Sequence, residues 1–321
     1  MRIAHISDLH ILDLVGVSPR QFLNRRIAGA TNLLLFRNGK HRPEILERLI
    51  EDLLLEDVDH IAITGDLSNL ALDAEFDRVF HLIKLLGGYN RVSIVPGNHD
   101  YYTAGAIAHR RFEKYFHRFM FRSFSDTQTS FYPWEKQIDK VVFLGLNSAT
   151  HTTPPLSYGL VSDRQLDDAR KILTNRKNLN RRKVVLLHHC LHKQESSREW
   201  STRLIGRDKL LDLLKETGVD LVLHGHDHRG RSWDLEGEKG NTKIICCGSS
   251  TIMDPDHARA ARYRIITLGE QGLRRVATTL SRPHERRFLR RSRDVFQDAR
   301  KALTTPHAYS PPIRPPTPQT Y

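Results

Sequence analysis

Short apolar, β-branched runs alternate with amphipathic segments along most of the chain. The runs have the length and composition of buried strands. They cover residues 1–7, 60–64, 91–95, 141–146, 183–187 and 220–223. Between them, apolar residues recur at helical spacing over residues 43–56, 72–86, 162–174 and 208–217. This alternation of strand and helix predicts an α/β fold.

Three further apolar runs, at residues 243–247, 262–268 and 273–280, follow one another without an intervening helix. The last two are separated by Gly-Glu-Gln-Gly, which predicts a hairpin, and the three runs together predict a second, partly antiparallel sheet. From residue 282 the composition becomes Arg-rich and then Pro-rich, so this end buries little apolar surface. We therefore predict a folded domain at residues 1–281 and a partly disordered tail at residues 282–321.

The formal net charge of +13 is concentrated in two segments. Residues 11–43 carry six basic residues against one acidic residue, and residues 282–321 carry nine against three. Such segments are most simply solvated basic surfaces without a partner; the alternatives are contact with an anionic membrane and, less favoured, with nucleic acid. Within the first segment, residues 19–38 interleave apolar residues with arginines, which suits an interfacial helix at an anionic lipid surface.

The cysteine count and the hydropathy bear on the compartment. Three cysteines, Cys190, Cys246 and Cys247, are too few for a disulfide framework. No apolar run approaches the roughly 18 residues of a membrane-spanning helix, and the first residues lack a signal-peptide pattern. We expect a cytoplasmic protein, with peripheral attachment at the inner face of the membrane as an alternative.

Metal-binding side chains occur in five short blocks, nearly all of them directly after a predicted strand. Ligands of open α/β sheets collect at the carboxyl ends of strands, so these blocks are expected to converge. Carboxylate, amide and imidazole ligands without cysteine suit two divalent cations, Mn, Fe, Zn or Mg, rather than a structural zinc ion. The blocks are Asp8-Leu9-His10, Gly65-Asp66, Gly97-Asn98-His99-Asp100, His188-His189 and Gly225-His226-Asp227-His228.

Two of these blocks leave alternatives open. Asp8 and His10 share one face if the first strand continues through them, and they chelate an ion from a loop if it does not. His188 and His189 are consecutive and point to opposite sides of a strand, so we expect only one of them to bind metal. We favour His188 because it comes first after the strand.

Other polar residues near the blocks also have two interpretations. His224 either supports a neighbouring ligand or simply packs in the core, whereas His5 is expected to be a core residue. Asp100 either orients His99 or bonds to the following turn, and Asn69 is expected to shape the loop after Asp66 by a local side-chain bond.

Residues 101–134 are rich in arginine and aromatic residues. Aromatic faces with interleaved arginines suit the stacking of a base and the binding of phosphates. The alternative is an amphipathic helix that packs on the core. This segment and residues 19–38 are expected to determine the substrate.

The five blocks, in this order, resemble the signature of the calcineurin-like metallophosphoesterase superfamily, which runs D-x-H, GD, GNH(D/E), H and GHxH. The resemblance covers about residues 1–280. It implies a four-layer α-β-β-α sandwich with two mixed β-sheets and a dinuclear metal site at the strand ends.

The resemblance also implies a role for each site residue. His99 would contact phosphate and protonate the leaving oxygen, and Asp100 is predicted to act beside it. Asp66 would bridge the two ions. One ion would be held by Asp8, His10, Asp66 and His228, and the other by Asp66, Asn98, His188 and His226.

The activity implied by the resemblance is hydrolysis of a phosphate-ester substrate, most simply a small nucleotide or similar phosphodiester, by attack of a metal-bridging hydroxide. The main alternative is a peripheral membrane pyrophosphohydrolase of the UDP-diacylglucosamine type. Two further alternatives are a nuclease and a non-catalytic scaffold, although a scaffold is expected to have lost ligands that this chain retains.

Overall fold

The computed structural model describes residues 1–18, 26, 43–121, 131–153, 155–193, 196–252 and 259–280. The strands in these ranges are β1 (Arg2–Ile6), β2 (His60–Thr64), β3 (Val92–Val95), β4 (Trp134–Ile138), β5 (Val141–Gly145), β6 (Gly159–Leu160), β7 (Arg182–Leu186), β8 (Leu204–Ile205), β9 (Leu221–His224), β10 (Arg231–Leu235), β11 (Thr242–Cys246), β12 (Arg262–Gly269) and β13 (Gly272–Leu280). The helices are α1 (Pro43–Leu55), α2 (Asp73–Leu85), α3 (Ala104–Ala108), α4 (Arg111–Met120), α5 (Asp163–Thr174), α6 (Ser196–Thr202) and α7 (Arg207–Thr217).

Two large mixed sheets form the centre of the fold. One has the strand order β13-β12-β1-β2-β3 and the other β10-β11-β9-β7-β5-β4. In the first sheet β1, β2 and β3 pair in parallel, and β12 and β13 add antiparallel strands on one side. In the second sheet β11, β9, β7 and β5 pair in parallel, and β10 and β4 are antiparallel edge strands. Helices α5 and α7 bury leucines against the second sheet. The mixed α/β class and the two mixed sheets predicted from the sequence are thus confirmed.

Two of the sequence interpretations are corrected by the sheet order. The three late runs do not form a sheet of their own, because β12 and β13 extend the first sheet beside β1 while β11 lies in the second sheet beside β9. Strands β4 and β10 have no counterpart among the predicted runs. Both are antiparallel edge strands whose exposed positions carry polar residues, so they lack the continuous apolar character of a buried strand.

The aromatic segment after the third strand forms part of the core rather than an open stacking surface. Helix α4 buries Phe112, Phe116 and Phe119 completely, and their rings contact Phe76 of α2 and one another. The amphipathic-helix interpretation therefore holds for residues 111–120. Residues 122–130 of this segment lie outside the described residues.

The basic segments lie largely outside the described part of the chain. Of residues 19–42 only Arg26 is described, and residues 281–321 are not described at all. The proposed boundary at residue 281 and the nature of the tail therefore stay predictions. None of the helices in the described ranges combines the length and apolar character needed to cross a membrane.

The buried side chain of Lys136, on β4, joins this strand to backbone groups of β3, of the turn before β3 and of helix α4. The Lys136 ammonium group donates to the carbonyl oxygens of Val92 at 2.7 Å, Tyr89 at 3.1 Å and Phe119. We expect Lys136→Met to lower the free energy of unfolding by about 2–4 kcal/mol, because the carbonyl groups of Tyr89, Val92 and Phe119 lose a shared hydrogen-bond donor. Urea denaturation measures this change.

The exposed Lys140 provides the matched control for this prediction. It pairs with Glu270 at 2.8 Å, and both side chains are more than three-quarters exposed. Lys140→Met is expected to leave the unfolding free energy nearly unchanged, because an exposed ion pair contributes little to stability. Equal losses in the two variants would show that the buried contacts of Lys136 contribute nothing beyond a surface pair.

Candidate metal centre

The five blocks converge because the strands before them end at the same edge of the two sheets. Strands β1, β2 and β3 of the first sheet and β7 and β9 of the second run in parallel within their sheets. The blocks start one or two residues after β1, β2, β3, β7 and β9, so the sequence-based expectation of convergence matches the geometry.

The loops that carry the blocks have unusual backbone conformations. Five of the seven predicted ligands adopt positive φ angles, a region that non-glycine residues seldom occupy and that clusters at functional sites. These residues are Asp8 (54°), His10 (46°), Asp66 (53°), His226 (73°) and His228 (53°). Strand β1 ends at Ile6, so Asp8 and His10 act from a loop rather than from a shared strand face.

Two glycines allow the central loops to approach each other. A Cβ atom at Gly97 would lie 2.1 Å from the Asp66 Oδ1 atom, and one at Gly65 would lie 2.6 Å from the Gly97 nitrogen. Gly65 also has a φ of 86°. Any side chain at these positions would push the Asp66 carboxylate away from the second sheet.

The first group of predicted ligands is Asp8, His10, Asp66 and His228, whose ligand atoms all lie within 4.8 Å of one another. The His10 Nε2 atom lies 3.1 Å from His228 Nε2 and 3.6 Å from Asp66 Oδ2. His228 Nε2 also lies 3.3 Å from Asp8 Oδ1. Three of these four side chains are buried, and His228 is about one-fifth exposed.

The second group surrounds the Asn98 side-chain oxygen. The Asn98 Oδ1 atom lies 3.0 Å from His226 Nδ1 and 3.2 Å from His188 Nε2. His188 Nε2 in turn lies 3.4 Å from Asp66 Oδ2. Asp66 Oδ2 therefore faces both groups, as expected of a carboxylate that bridges two ions.

The structure separates the roles of the two consecutive histidines. His188 donates from Nδ1–H to the Thr64 carbonyl oxygen at 2.7 Å, so Nε2 is the ring nitrogen that faces the site. The His189 ring donates to the Ser157 carbonyl oxygen at 3.2 Å and accepts from the Ser148 hydroxyl group at 2.9 Å. Both ring nitrogens of His189 are thus occupied, and the geometry favours His188 as the ligand.

The electrostatics of the site fit divalent cations. Burial opposes charge on His188, but the nearby Asp66 and Asp8 carboxylates outweigh it and raise the pKa of His188 to about 10. Burial and the neighbouring His188 lower the pKa of His226 to about 3. The buried carboxylates thus attract positive charge into a site whose oxygen and nitrogen donors suit hard or borderline metal ions.

His99 lies at the edge of the two ligand groups, and one of its ring nitrogens already makes a hydrogen bond. Its Nδ1–H donates to the Asn69 carbonyl oxygen at 2.8 Å, and its ring lies edge-on to the His10 ring at 4.7 Å between centroids. The Tyr102 ring stacks on it at 5.7 Å. Because a carbonyl oxygen only accepts, Nδ1 keeps its proton, and Nε2 is the atom that exchanges one.

Asp100 bonds to backbone groups of two loops. Its carboxyl group accepts from the backbone N–H groups of Leu67 at 3.0 Å, Ser68 at 2.9 Å and Gly97 at 2.9 Å. It thus ties the loop after Asp66 to the loop after β3, whereas the Asn69 carbonyl group holds the His99 ring. These contacts give Asp100 a positioning role, and its assignment as catalytic stays a prediction.

The contacts of three other polar residues near the site agree in part with the sequence-based predictions. Asn69 donates from its side chain to the His10 carbonyl oxygen at 2.5 Å, so it joins two loops rather than making a local bond. His5 is a core residue that bonds to the Thr64 hydroxyl group at 2.9 Å, as predicted. His224 contacts the Gly225 carbonyl oxygen and the Trp233 ring, so it packs next to the block that carries His226 and His228.

Ser148 is a functional candidate that the sequence did not indicate. Its hydroxyl oxygen accepts from the backbone N–H groups of His188 at 3.3 Å and His189 at 3.1 Å. It follows β5, a strand with no metal-binding block of its own, so no motif identifies it. Its contacts fix the direction in which His188 points.

Glu75 supports the loop after Asp66 and gives the protein a pH-dependent stability. Its carboxyl group accepts from the N–H groups of Leu70 at 2.9 Å and Leu72 at 3.0 Å, and burial raises its pKa from 4.5 to about 8. The folded state therefore binds more protons than the unfolded state between these values. We expect the free energy of unfolding to fall as pH rises from 4.5 to 8.

Glu75→Gln tests this expectation, since it removes the titrating group and retains an acceptor oxygen. Urea denaturation at pH 5, 6.5 and 8 should show a shallower decline for the variant than for the wild type. Parallel declines would show that Glu75 is not the source of the pH dependence.

Two mixed sheets bring carboxylate, imidazole and amide side chains together at adjoining strand ends, and these side chains form a candidate metal centre. A family model described as calcineurin-like phosphoesterase matches residues 1–230. The chain belongs to the calcineurin-like phosphoesterase family, whose members use two divalent metal ions. Membership of this family implies a phosphate-ester substrate.

Solved structures support the fold. The chain is similar to a purple acid phosphatase from yellow lupin at 14% identity and a TM-score of 0.56, over 87% of this chain and 53% of that one. It is similar to a dimetal phosphatase from Danio rerio at 15% identity and a TM-score of 0.57, over 87% and 98% of the two chains. The chain thus spans about half the length of the lupin enzyme. No curated protein sequence matches it significantly.

Proposed function

We propose that the protein is a dinuclear-metal-dependent phosphodiesterase that hydrolyses a small nucleotide or a similar diester. The observation that carries this proposal is the position of the Asp66 Oδ2 atom, 3.6 Å from His10 Nε2 and 3.4 Å from His188 Nε2. One carboxylate oxygen thus adjoins both ligand groups. His99 lies next to them with a nitrogen that can exchange a proton.

Metal ions and side chains would have different roles in this site. Divalent ions held by the two groups would supply Lewis-acid activation of the phosphate ester and of the attacking water. His99 in its protonated form donates from Nε2–H to a phosphoryl oxygen and then to the leaving oxygen. The Asn69 carbonyl group fixes the plane of the ring, so that Nε2 keeps its direction during proton transfer.

Three substrates and one added metal separate this proposal from its alternatives. Metal-stripped protein, with and without Mn²⁺, is assayed on bis(p-nitrophenyl) phosphate, p-nitrophenyl phosphate and a UDP-diacylglucosamine-like lipid, each with and without detergent. Mn²⁺-dependent preference for the soluble diester supports the proposal. Activity confined to the lipid substrate in detergent identifies the membrane enzyme instead, and no activity on any substrate contradicts an enzymatic function.

We also propose a cytoplasmic location. The three cysteines are buried and none of them forms a disulfide, in keeping with a reducing compartment. Attachment to an anionic membrane through residues 19–38 or the tail is the alternative, and the one described residue of residues 19–38, Arg26, is only 5% exposed. Fractionation of cells at low and high salt tests the location, since recovery in a salt-sensitive membrane fraction would contradict it.

A further inference from the structure

A buried arginine from a distant segment binds the loop that supports His99. The Arg26 side chain is 5% exposed, and it donates from Nε to the Leu70 carbonyl oxygen and from Nη2 to the Ala71 carbonyl oxygen, each at 2.8 Å. Arg111 donates to the same Ala71 oxygen at 2.6 Å. These are charge-assisted bonds in a buried place, where they are stronger than neutral ones.

The loop needs such support because its backbone is strained. Ala71 has a φ of 52°, in the left-handed region that costs energy for a residue with a side chain. Asn69, two residues earlier, accepts from the His99 Nδ1–H group and donates to the His10 carbonyl oxygen. A shift of the loop at residues 70–71 would therefore displace the acceptor that orients the His99 ring.

The metal ligands nearest this loop have contacts of their own. The Leu67 and Ser68 N–H groups bind the Asp100 carboxylate, and the Asp66 carbonyl oxygen accepts from the His10 backbone N–H group at 2.9 Å. If Asn69 shifts, His10 loses one backbone bond, to the Asn69 side chain, but keeps its bond to Asp66. Loss of the arginine contacts should therefore affect His99 without releasing metal.

We infer that Arg26 is a positioning residue for His99, acting through the carbonyl groups of Leu70 and Ala71 and the intervening loop at Asn69. Arg26 precedes the loop by more than 40 positions, so residues outside the motif region would control the catalytic step. The inference rests on the proposed function only in so far as His99 acts in catalysis; the contact between His99 and Asn69 is measurable without turnover.

The experiment compares Arg26→Ala, Arg26→Lys and a matched control. Arg91→Ala removes a similar contact, in which Nε and Nη2 donate to the Val58 carbonyl oxygen at 3.2 and 2.8 Å, at the opposite end of β3 from the site. Each Mn²⁺-loaded variant is assayed for kcat, KM and bound Mn²⁺. In the metal-free proteins, NMR follows the His99 Nδ1–H proton, assigned by its absence in His99→Ala.

We expect Arg26→Ala to lower kcat by about tenfold or more with KM and bound Mn²⁺ unchanged, and to broaden the His99 Nδ1–H signal by solvent exchange. Arg26→Lys should fall between Arg26→Ala and the wild type, and Arg91→Ala should change neither kcat nor the signal. If Arg26→Ala does not fold, Arg26→Lys decides by the same measurements.

Three outcomes would overturn the inference. A retained His99 signal with unchanged kcat would show that Arg26 supports stability alone, and loss of Mn²⁺ would show that it supports the ligands. An equal effect of Arg91→Ala would show a general response to destabilisation. If the wild type has no activity on the tested substrates, the proposed function fails, and the NMR signal still decides whether Arg26 holds the His99 ring.

Discussion

Asp66→Ala is expected to abolish binding of both metal ions and to lower the catalytic rate by at least about 1000-fold. The Asp66 Oδ2 atom adjoins His10 and His188, one from each ligand group. Its Oδ1 atom accepts from the backbone N–H group of His99 at 2.8 Å. Removal of one carboxylate thus takes a ligand from each ion and a contact from the loop that carries His99. Metal analysis and steady-state kinetics on Mn²⁺-reconstituted protein measure the two losses.

Asp77→Ala is the control for this change. Asp77 lies on α2, is about two-fifths exposed and lies 3.7 Å from His81 Nε2 on the same helix. It should leave metal content and rate unchanged. Full metal content and activity in Asp66→Ala would refute the bridging assignment, whereas loss of one ion with the other retained would place Asp66 in a single group.

His99→Ala is expected to lower kcat by about 100- to 10,000-fold while both ions stay bound. The imidazole is no member of either ligand group, and its Nδ1 atom is committed to the Asn69 carbonyl oxygen. The loss should therefore fall on proton transfer and on stabilisation of the phosphoryl oxygens. Kinetics and metal analysis on the same preparation separate the two effects.

The choice of leaving group sharpens this prediction. A p-nitrophenolate ion leaves without a proton near neutral pH, whereas an alkyl leaving group needs one. We expect His99→Ala to slow a nucleotide or alkyl diester more than bis(p-nitrophenyl) phosphate. Equal slowing of both substrates would assign His99 to binding of the phosphoryl group rather than to protonation of the leaving oxygen.

Much of the fold was predictable because buried strands and amphipathic helices have local patterns. The runs before Asp8, Asp66 and Asn98 were recognisable as β-branched and apolar, and they form the parallel strands that position these residues. Sheet membership was not predictable in this way. The pairing of β12 with β1 joins residues more than 250 positions apart, and no local pattern specifies it.

The residues of the candidate site were also predictable only in part, and for the same reason. Its ligands follow strand ends and form motifs, so the sequence indicated them, although their binding of metal stays a prediction. The residues that hold them act mainly through backbone groups. Asp100, Ser148 and Arg26 contact N–H or carbonyl groups of other loops, and such contacts depend on tertiary placement rather than on residue spacing.

The number of metal ions bound per chain tests the dinuclear centre most directly. Metal-stripped protein is reconstituted with excess Mn²⁺, desalted and analysed by mass spectrometry for Mn per chain, together with its rate on bis(p-nitrophenyl) phosphate. Two ions per chain, with activity that rises as the second ion binds, is the expected result. Full activity with one ion or none would contradict the arrangement of two ligand groups around Asp66.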